Sequence, residues 1–453
     1  MSKELWVRIL QFDLDSPVSE YNFSTRLANE NYWTKNFTKK AIVEYKKFMY
    51  LAATSGLMVS PSEIIDTVWH QHLIFTQSYN EFCNLAGKQI QHVPSTHNKD
   101  EFEKFKLAKE RTKKLYLSVF GEQPADIWDY SGMYESLELA KAKINIRTFI
   151  LFGILIFVSL TVPAYHLLKP VYVQIHNPDF LFGLIALSVL TFSGLEVYNK
   201  RYLSAVVGKV RHSSFLSDLQ PLELVYLKTQ DLSNVVNGVL NQLITNRQIT
   251  VKSDYALERV KESRPKTTEE YQALDLLGRA GKTYYSTLMN ILLNKPVFYN
   301  TENCMDAIKK YFNKSRKFGM LFYINFGALS ILLLLGFVRL STGLLRDRPV
   351  GQLVICLIVL TVFIILFLNR LTNLTCTKTI PALYENKIIA AKKDADDWQW
   401  QYFLLGPSVL SASFVPVVKD DTNNKRDSSS SSSSCGSSCG SSCGSCGGCG
   451  GGD

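Results

Sequence analysis

The sequence predicts a mainly α-helical membrane protein with four transmembrane helices arranged as two helical hairpins. Three observations lead to this prediction. Four apolar runs reach the length of about 20 residues that a helix needs to cross a bilayer. The runs come in two pairs, and only a short segment connects the members of each pair. The sequence around the pairs is polar, so the mean hydropathy of the 453-residue chain is close to zero.

The two predicted hairpins cover residues 148–198 and 318–368, with spans at 148–168, 180–198, 318–338 and 351–368. Lys and Arg accumulate beside the ends of membrane helices that stay in the cytoplasm. This rule explains much of the formal net charge of +10. It predicts an inner-membrane multipass protein whose N-terminus, middle segment and C-terminus are cytoplasmic. The basic residues beside the outer ends of the hairpins are Lys141, Lys143, Arg147, Lys200, Arg201, Lys209, Arg211, Lys309, Lys310, Lys314, Arg316, Lys317, Arg370 and Lys378.

The predicted spans contain few polar side chains. Asn325 lies near the centre of the third span, and Glu196 lies near the end of the second, where it can reach water. Proton relays and ion paths usually need ionisable residues inside the bilayer. The spans are therefore predicted to be anchors, and Asn325 is predicted to bond a neighbouring helix.

Residues 1–135 are predicted to form an all-α cytoplasmic domain, because apolar and aromatic residues recur at helical spacing. A single helix is expected between residues 61 and 87. Ser60 and Glu63 form a capping box at its start, and Gly87 ends it.

The helical domain contains the sequence DTVWHQH, which supplies candidate metal ligands. Asp66 and His70 are four residues apart and share a helix face, whereas His72 lies roughly 200° around the axis from His70. A metal site built from Asp66, His70 and the later His92 or His97 is geometrically possible. In the alternative interpretation, Asp66 orients His70 by a hydrogen bond and His72 packs beside the intervening tryptophan.

The motif order within residues 5–128 resembles the N-terminal domain of a family of uncharacterised bacterial membrane proteins. The motifs are LW.RI..F.LD, FS.RLA.EN.W...F...AI.EY..F..LA, PSE.ID.VWH.HL..T.SY..FC and FG..P.DIW. The D-x-x-W-H-x-H core also resembles the glycine-rich domain-containing protein-like family. The resemblance implies a helical domain that accompanies a membrane region, and no established activity. It also implies two histidines where this chain has Gln91 and His92.

The middle segment, residues 199–317, is predicted to be a cytoplasmic insert that begins with two helices and a short strand. This order looks like a degenerate winged helix and is similar to the middle segment of the same family. The second helix would present Asn234, Asn237, Asn241 and Gln242 in place of the Arg or Lys that a DNA groove requires. Protein packing or protein binding is therefore predicted, and a nucleic-acid partner is not.

Residues 369–418 are predicted to form a juxtamembrane segment. Its apolar stretch at 400–418 is interrupted by Gly406, Pro407 and Pro416. These residues disfavour a fifth span, so an interfacial or re-entrant segment is expected.

Residues 419–453 are predicted to be a disordered Ser/Gly/Cys-rich tail, because Gly and Ser cannot bury a core. Closely spaced thiolates on a flexible chain suit Zn²⁺ or Cu⁺. Acylation, oxidative cross-linking or an unmodified low-complexity end are the alternatives. Gly/Cys-rich tails also resemble those of the same family. The tail cysteines are Cys435, Cys439, Cys443, Cys446 and Cys449.

The sequence favours a non-enzymatic membrane scaffold or envelope component, with the lipid bilayer and other proteins as partners. It contains neither G-x-x-x-x-G-K-[ST] nor G-x-S-x-G, the signatures of a phosphate-binding loop and a nucleophile elbow. Two alternatives stay open. One is a membrane-tethered metalloenzyme that uses the region of Asp66, His70 and His92. The other is a membrane-bound regulator that uses the winged-helix-like insert.

Overall fold

The computed structural model describes residues 3–93, 99–210, 215–260, 264–391 and 397–420. The predicted tail cysteines and His97 lie outside these residues. Within them the chain is mainly helical, which confirms the predicted fold class at this level. Two long helical hairpins extend from a body, here called the helical body, that consists of the N-terminal domain, the middle segment and residues 398–418.

The N-terminal domain begins its helices with side-chain caps. Asn22, Thr34 and Ser62 each accept a hydrogen bond from the backbone N–H three residues later. The helices are α1 (Lys3–Gln11), α2 (Phe23–Asn31), α3 (Lys35–Thr54), α4 (Glu63–Ile74), α5 (Thr76–Ala86), α6 (Lys99–Phe120) and α7 (Ala125–Trp128).

One detail of this domain differs from the sequence expectation. The single helix expected between residues 61 and 87 is two helices, α4 and α5, and its cap is Ser62 rather than Ser60. The chain turns at Phe75, where ψ is 63° and the N–H bonds the carbonyl of His72. The Phe75 ring packs against Phe23, with centroids 5.6 Å apart. The turn thus directs a partly buried aromatic ring toward the core. Gly87 ends α5 in the left-handed region, as expected.

The first hairpin leads into a mixed middle segment. The sheet in this segment is antiparallel with strand order β1-β2-β3, and Thr250 pairs with Glu258 in its register. The first hairpin consists of α8 (Ile146–Tyr172) and α9 (Asn177–Val210). The elements of the middle segment are α10 (Pro221–Thr229), α11 (Leu232–Thr245), β1 (Ile249–Val251), β2 (Ala256–Arg259), α12 (Thr268–Ala280), β3 (Thr283–Tyr284), α13 (Tyr285–Leu293) and α14 (Pro296–Asn313).

The second hairpin is followed by two more helices. A turn of π-helix at Thr375–Thr379 joins the second helix of this hairpin to the next one. The helices are α15 (Arg316–Leu344), α16 (Gly351–Leu374), α17 (Ile380–Ala391) and α18 (Trp398–Leu405).

Four helices of the described residues are long and apolar enough to cross a membrane. They cover Ile146–Tyr172, Asn177–Val210, Arg316–Leu344 and Gly351–Asn386. Each contains one of the predicted spans. The most apolar stretch of α8 has none of its residues buried, and Leu167 is 77% exposed. A continuous apolar surface of this kind is typical of contact with lipid.

Both hairpins start and finish at the helical body. The segments before α8 and α15 pair as a short antiparallel bridge, in which Ala142 N–H bonds Lys314 O at 2.9 Å and Arg316 N–H bonds Ala140 O at 2.7 Å. The chain returns to the body through buried residues at the ends of α9 and α16, among them Val207. Each hairpin therefore begins and ends on the same side of the helical bundle.

The two hairpin tips meet at the opposite end of the bundle. Arg339 of α15 is buried, and its guanidinium donates to the carbonyls of Tyr172 and Ile175 and to Oδ1 of Asn177. Asn177 also donates to Pro349 O at 3.3 Å. Arg339 thus satisfies carbonyls at the end of α8 that have no partner inside the helix.

Asn325 lies where α15 packs against α9. The amides of Asn325 and Asn199 exchange two hydrogen bonds of 2.7 and 2.8 Å, and both side chains are fully buried. We expect Asn325→Val to weaken this pairing by about 1–2 kcal/mol, because the Asn199 amide loses its partner in apolar surroundings. The thermal unfolding midpoint of the detergent-solubilised protein should fall. The double variant Asn199→Val/Asn325→Val should recover part of the loss. An unchanged midpoint for Asn325→Val alone would show that the amide pair contributes nothing.

One continuous core joins the N-terminal domain to the middle segment. Lys35 of α3 and Glu269 of α12 form an ion pair of 2.6 Å across this junction, and Cys304 Sγ donates to Tyr32 O at 3.1 Å. The two parts therefore lie on the same side of the hairpins.

The apolar stretch at residues 400–418 also belongs to this core. Tyr402, Phe403, Phe414 and Val417 are each at most 2% exposed, and α18 packs against α10. Tyr402 Oη donates to Asn234 O at 2.9 Å. Residues 400–418 thus pack on the middle segment of the helical body. The interfacial or re-entrant arrangement expected from their composition is not what the structure shows. Composition alone gives the apolarity of such a segment but not the surface that buries it.

Candidate metal centre

Helix α4 carries two of the candidate ligands on its outer face. The Ser62 side chain caps the helix by accepting from Ile65 N–H, and Ser62 Oγ donates to Ile127 O at 2.7 Å, which anchors the first turn to α7. The inner face buries apolar residues such as Ile65 and Val68. Asp66 and His70 are four residues apart on the other face, so their side chains meet.

The third candidate ligand lies on the irregular segment after α5. Trp69 Nε1 donates to Tyr79 Oη at 3.0 Å, and Tyr79 Oη in turn donates to Ile90 O. This chain of bonds holds the segment against α4. His92 follows two residues later, and its ring packs on Trp69 with centroids 4.6 Å apart. The tryptophan of the DTVWHQH sequence therefore positions a histidine that is 23 residues away in the chain.

Asp66, His70 and His92 form one cluster at the surface. His92 Nε2 lies 2.9 Å from Asp66 Oδ1, and His70 Nδ1 lies 3.1 Å from Asp66 Oδ2. The two imidazole rings are adjacent, with centroids 4.4 Å apart. One ligand atom from each residue lies within 4.8 Å of the other two. His92 is mostly buried, at 14% side-chain exposure, whereas His70 is exposed at 56%.

These distances fit a first-row transition metal ion. Ligand atoms bound tetrahedrally at 2.0–2.1 Å from Zn²⁺ are separated by about 3.3 Å. The two histidines contact different oxygens of Asp66, and one ligand atom from each residue lies within 4.8 Å of the other two. These separations would shorten by up to about 1.5 Å on metal binding. The cluster would supply three protein ligands to an ion and leave further coordination positions to water, because the His70 side faces solvent. Among the described residues this is the one group of three or more His, Cys, Asp or Glu side chains with such geometry.

His72 is separated from this cluster. Its side chain is fully buried, and its ring nitrogens contact Tyr45 Oη at 2.7 Å and Ser78 Oγ at 3.2 Å. Burial lowers the pKa of His72 to about 4. Asp66 and His70 lie on the outer face of α4 and meet His92 there, so His72 cannot join them at one ion. Its surroundings are aromatic, with Phe12, Phe23, Tyr45, Tyr79 and Phe82 around the ring.

A buried carboxylate in the same domain was not singled out by sequence reasoning. Glu44 of α3 is 3% exposed. It accepts hydrogen bonds from Tyr116 Oη at 2.7 Å, Trp128 Nε1 at 2.9 Å and Lys47 Nζ at 2.8 Å. Burial, followed by the bond to Glu44, raises the pKa of Tyr116. This carboxylate joins α3, α6 and α7, and both Glu44 and Trp128 belong to the motifs EY and DIW that the sequence displays.

A family model described as UCP032817-like matches residues 17–110 of this chain. The matched segment contains all three residues of the surface cluster. This match supports an uncharacterised family for the N-terminal domain. The comparison with curated proteins finds no match, and neither does the comparison with solved structures.

Proposed function

We propose that the chain is a multipass membrane protein whose helical body binds a divalent transition metal ion through Asp66, His70 and His92. The observation that supports this proposal is the convergence of three ligand atoms within 4.8 Å of one another. Two imidazoles and one carboxylate are a ligand set that suits Zn²⁺ and Fe²⁺. The D-x-x-W-H-x-H core resembles the glycine-rich domain-containing protein-like family. We therefore also propose that this chain is related to that family and comes from a bacterium.

The orientation proposed for the chain has the helical body in the cytoplasm and the hairpin tips outside the inner membrane. Both hairpins have their bases at the body, where a long series of Lys and Arg residues lies. The tips hold few basic residues, and one of them, Arg339, bonds backbone carbonyls. This asymmetry is what the positive-inside rule associates with a cytoplasmic body. The basic residues near the tips are Lys169, Arg339, Arg346 and Arg348.

A metalloenzyme is the second candidate, because three protein ligands with an open position are the ligand count of catalytic zinc sites. The open position would hold a water molecule whose pKa the metal lowers. A binding or scaffold role uses the same three ligands without turnover. Zinc binding to Asp66, His70 and His92 is common to both candidates, and it is tested first.

The regulator that the winged-helix-like insert suggests is disfavoured by the packing of α11. Asn237 and Asn241, which a recognition helix would present, are buried at 5% and 0% exposure. Asn237 accepts from Tyr285 Oη at 2.7 Å, and Asn241 accepts from Ser411 N–H at 2.7 Å. A helix that uses its polar side chains to hold the core together cannot also read bases in a groove.

The metal proposal predicts that loss of one imidazole strongly weakens zinc retention. We expect the full-length protein, with its five tail cysteines replaced by serine, to retain about one zinc ion per chain after removal of excess metal. His92→Ala should weaken zinc binding on the order of 100-fold, because the third ligand is lost. Mass spectrometric metal analysis of the detergent-solubilised protein measures the retained zinc.

The cysteine substitutions in this experiment remove the competing thiolates of the tail. His176→Ala is the matched control, because His176 is an exposed histidine near the hairpin tips. It should leave the zinc content unchanged. Equal zinc content in His92→Ala and His176→Ala, with both proteins folded, would refute the proposed site.

A further inference from the structure

A cavity of about 900 Å³ lies at the junction of the N-terminal domain and the middle segment. Helices α2 and α3 line one side, and the first turns of α10, α12 and α14 line the other. Its volume falls in the range of sites that hold small organic ligands. None of Asp66, His70 or His92 lines it, so it is separate from the proposed metal centre.

The cavity has a negative formal charge in a basic protein. The whole chain has a net charge of +10. The described titratable residues of the lining sum to a charge of −2, six carboxylates against four lysines. They are Asp13, Asp15, Glu223, Glu269, Glu270 and Asp397, with Lys35, Lys39, Lys46 and Lys266.

Two of the four lysines are already committed to partners inside the protein. Lys35 Nζ pairs with Glu269 at 2.6 Å. Lys46 Nζ donates to the carbonyls of Leu10 and Phe12 at 2.9 and 2.6 Å. Burial raises the pKa of Asp15 and of Glu223, and the hydrogen bonds and lysines around these carboxyls offset only part of that effect.

Two acceptor atoms of the lining have no hydrogen-bond partner among the described residues. Glu270 is 2% exposed, and its Oε2 accepts from Lys266 N–H at 2.6 Å while its Oε1 is unpartnered. The buried Oδ1 of Asn300 is likewise unpartnered. A buried acceptor without a donor is destabilising, and more so when it is charged. Both atoms could accept hydrogen bonds from the N–H or O–H donors of a ligand.

Aromatic rings complete the lining. Trp33 and Trp400 contribute to the wall. Ring faces attract ammonium groups, and an ammonium group has three N–H donors and no acceptor. An anionic ligand would meet excess negative charge and two acceptors that it cannot satisfy. Negative charge, unpartnered acceptors and aromatic rings together select an organic cation.

We propose that this cavity binds a small organic amine in its ammonium form, with one ammonium group donating to Glu270 Oε1 and Asn300 Oδ1. The ligand class is that of short aliphatic mono- and diamines. Such a compound would neutralise the excess charge of the lining and bridge the two parts of the helical body.

Calorimetric titration of the full-length protein in detergent tests the proposal with putrescine as the probe and with chelator present. We expect saturable binding that Glu270→Gln weakens about tenfold or more, because the charged acceptor is lost. Glu258→Gln is the matched control, since Glu258 is an exposed carboxylate on β2 that pairs with Lys252. It should leave putrescine affinity unchanged.

Asn300→Leu provides a second variant that does not alter the charge of the lining. It should weaken putrescine binding several-fold. If Glu270→Gln does not fold, Asn300→Leu alone tests the proposed binding site. Inorganic phosphate and Mg²⁺ serve as competing probes and should not bind at this site. The proposal is overturned by the absence of saturable putrescine binding, by equal affinity in the Glu270→Gln and Glu258→Gln proteins, or by displacement of putrescine by phosphate or Mg²⁺.

Discussion

Replacement of Glu44 by alanine is expected to lower the free energy of unfolding by about 3–5 kcal/mol, the cost of breaking a buried charged network. Glu44 accepts from Tyr116, Trp128 and Lys47, which lie on three different helices. Alanine would leave all three donors without their acceptor and would open a cavity at their meeting point. Chemical denaturation of the full-length protein, followed by tryptophan fluorescence, measures the change.

Glu44→Gln separates charge from volume in this network. The amide keeps the shape of the side chain but loses the negative charge that faces Lys47. We expect a loss of about 1–3 kcal/mol, smaller than that of the alanine variant. Glu258→Gln again provides an exposed control, with an expected change of at most about 0.5 kcal/mol. Similar stability of Glu44→Ala and Glu258→Gln would mean that the network does not hold the three helices together.

Acidification is expected to destabilise the N-terminal domain through His72. Burial lowers its pKa from 6.5 to about 4; the hydrogen bond with Ser78 offsets part of this shift, and nearby Lys46 adds to it. Because the folded-state pKa is the lower one, the unfolded chain binds the extra proton between these two values. The stabilisation is complete above pH 6.5 and is lost as the pH falls toward 4. The loss is about 3 kcal/mol for a shift of this size.

The variant His72→Gln removes this titration while it keeps a neutral polar side chain near Tyr45 and Ser78. The free energy of unfolding is measured between pH 7 and pH 4 with chelator present. Its slope against pH should then correspond to about one proton fewer taken up on unfolding than in the natural protein. His176→Gln, at an exposed position, should retain the natural dependence. If the pH dependence of His72→Gln matches that of His176→Gln, acid sensitivity arises elsewhere.

Much of the fold is predictable from the sequence because it rests on local patterns. Long uncharged runs predict membrane helices, and the structure confirms four candidates with these runs at their centres. Helical spacing also predicts that Asp66 and His70 share a face. The amide of Asn325 within an apolar run predicts a hydrogen bond to a neighbouring helix. The run does not show which helix this is. In the structure the partner is Asn199 of α9.

The remaining features depend on contacts between residues that are distant in sequence. His92 reaches Asp66 only because Trp69 and Tyr79 hold residue Ile90 in place. Glu44 meets Tyr116 and Trp128 across 72 and 84 residues, which no local pattern reveals. The packing of residues 400–418 on α10 and α11 is equally non-local. Side-chain periodicity cannot encode such partners, since it describes only one element at a time.

The central claim, a metal ion held by Asp66, His70 and His92, is tested most directly by X-ray absorption spectroscopy at the zinc edge. The sample is the zinc-loaded full-length protein with its tail cysteines replaced by serine. The proposed site predicts a shell of nitrogen and oxygen ligands at about 2.0–2.1 Å, with outer-shell scattering from two imidazoles that His92→Ala reduces to one. Absence of bound zinc, or a shell without imidazole scattering, would contradict the account.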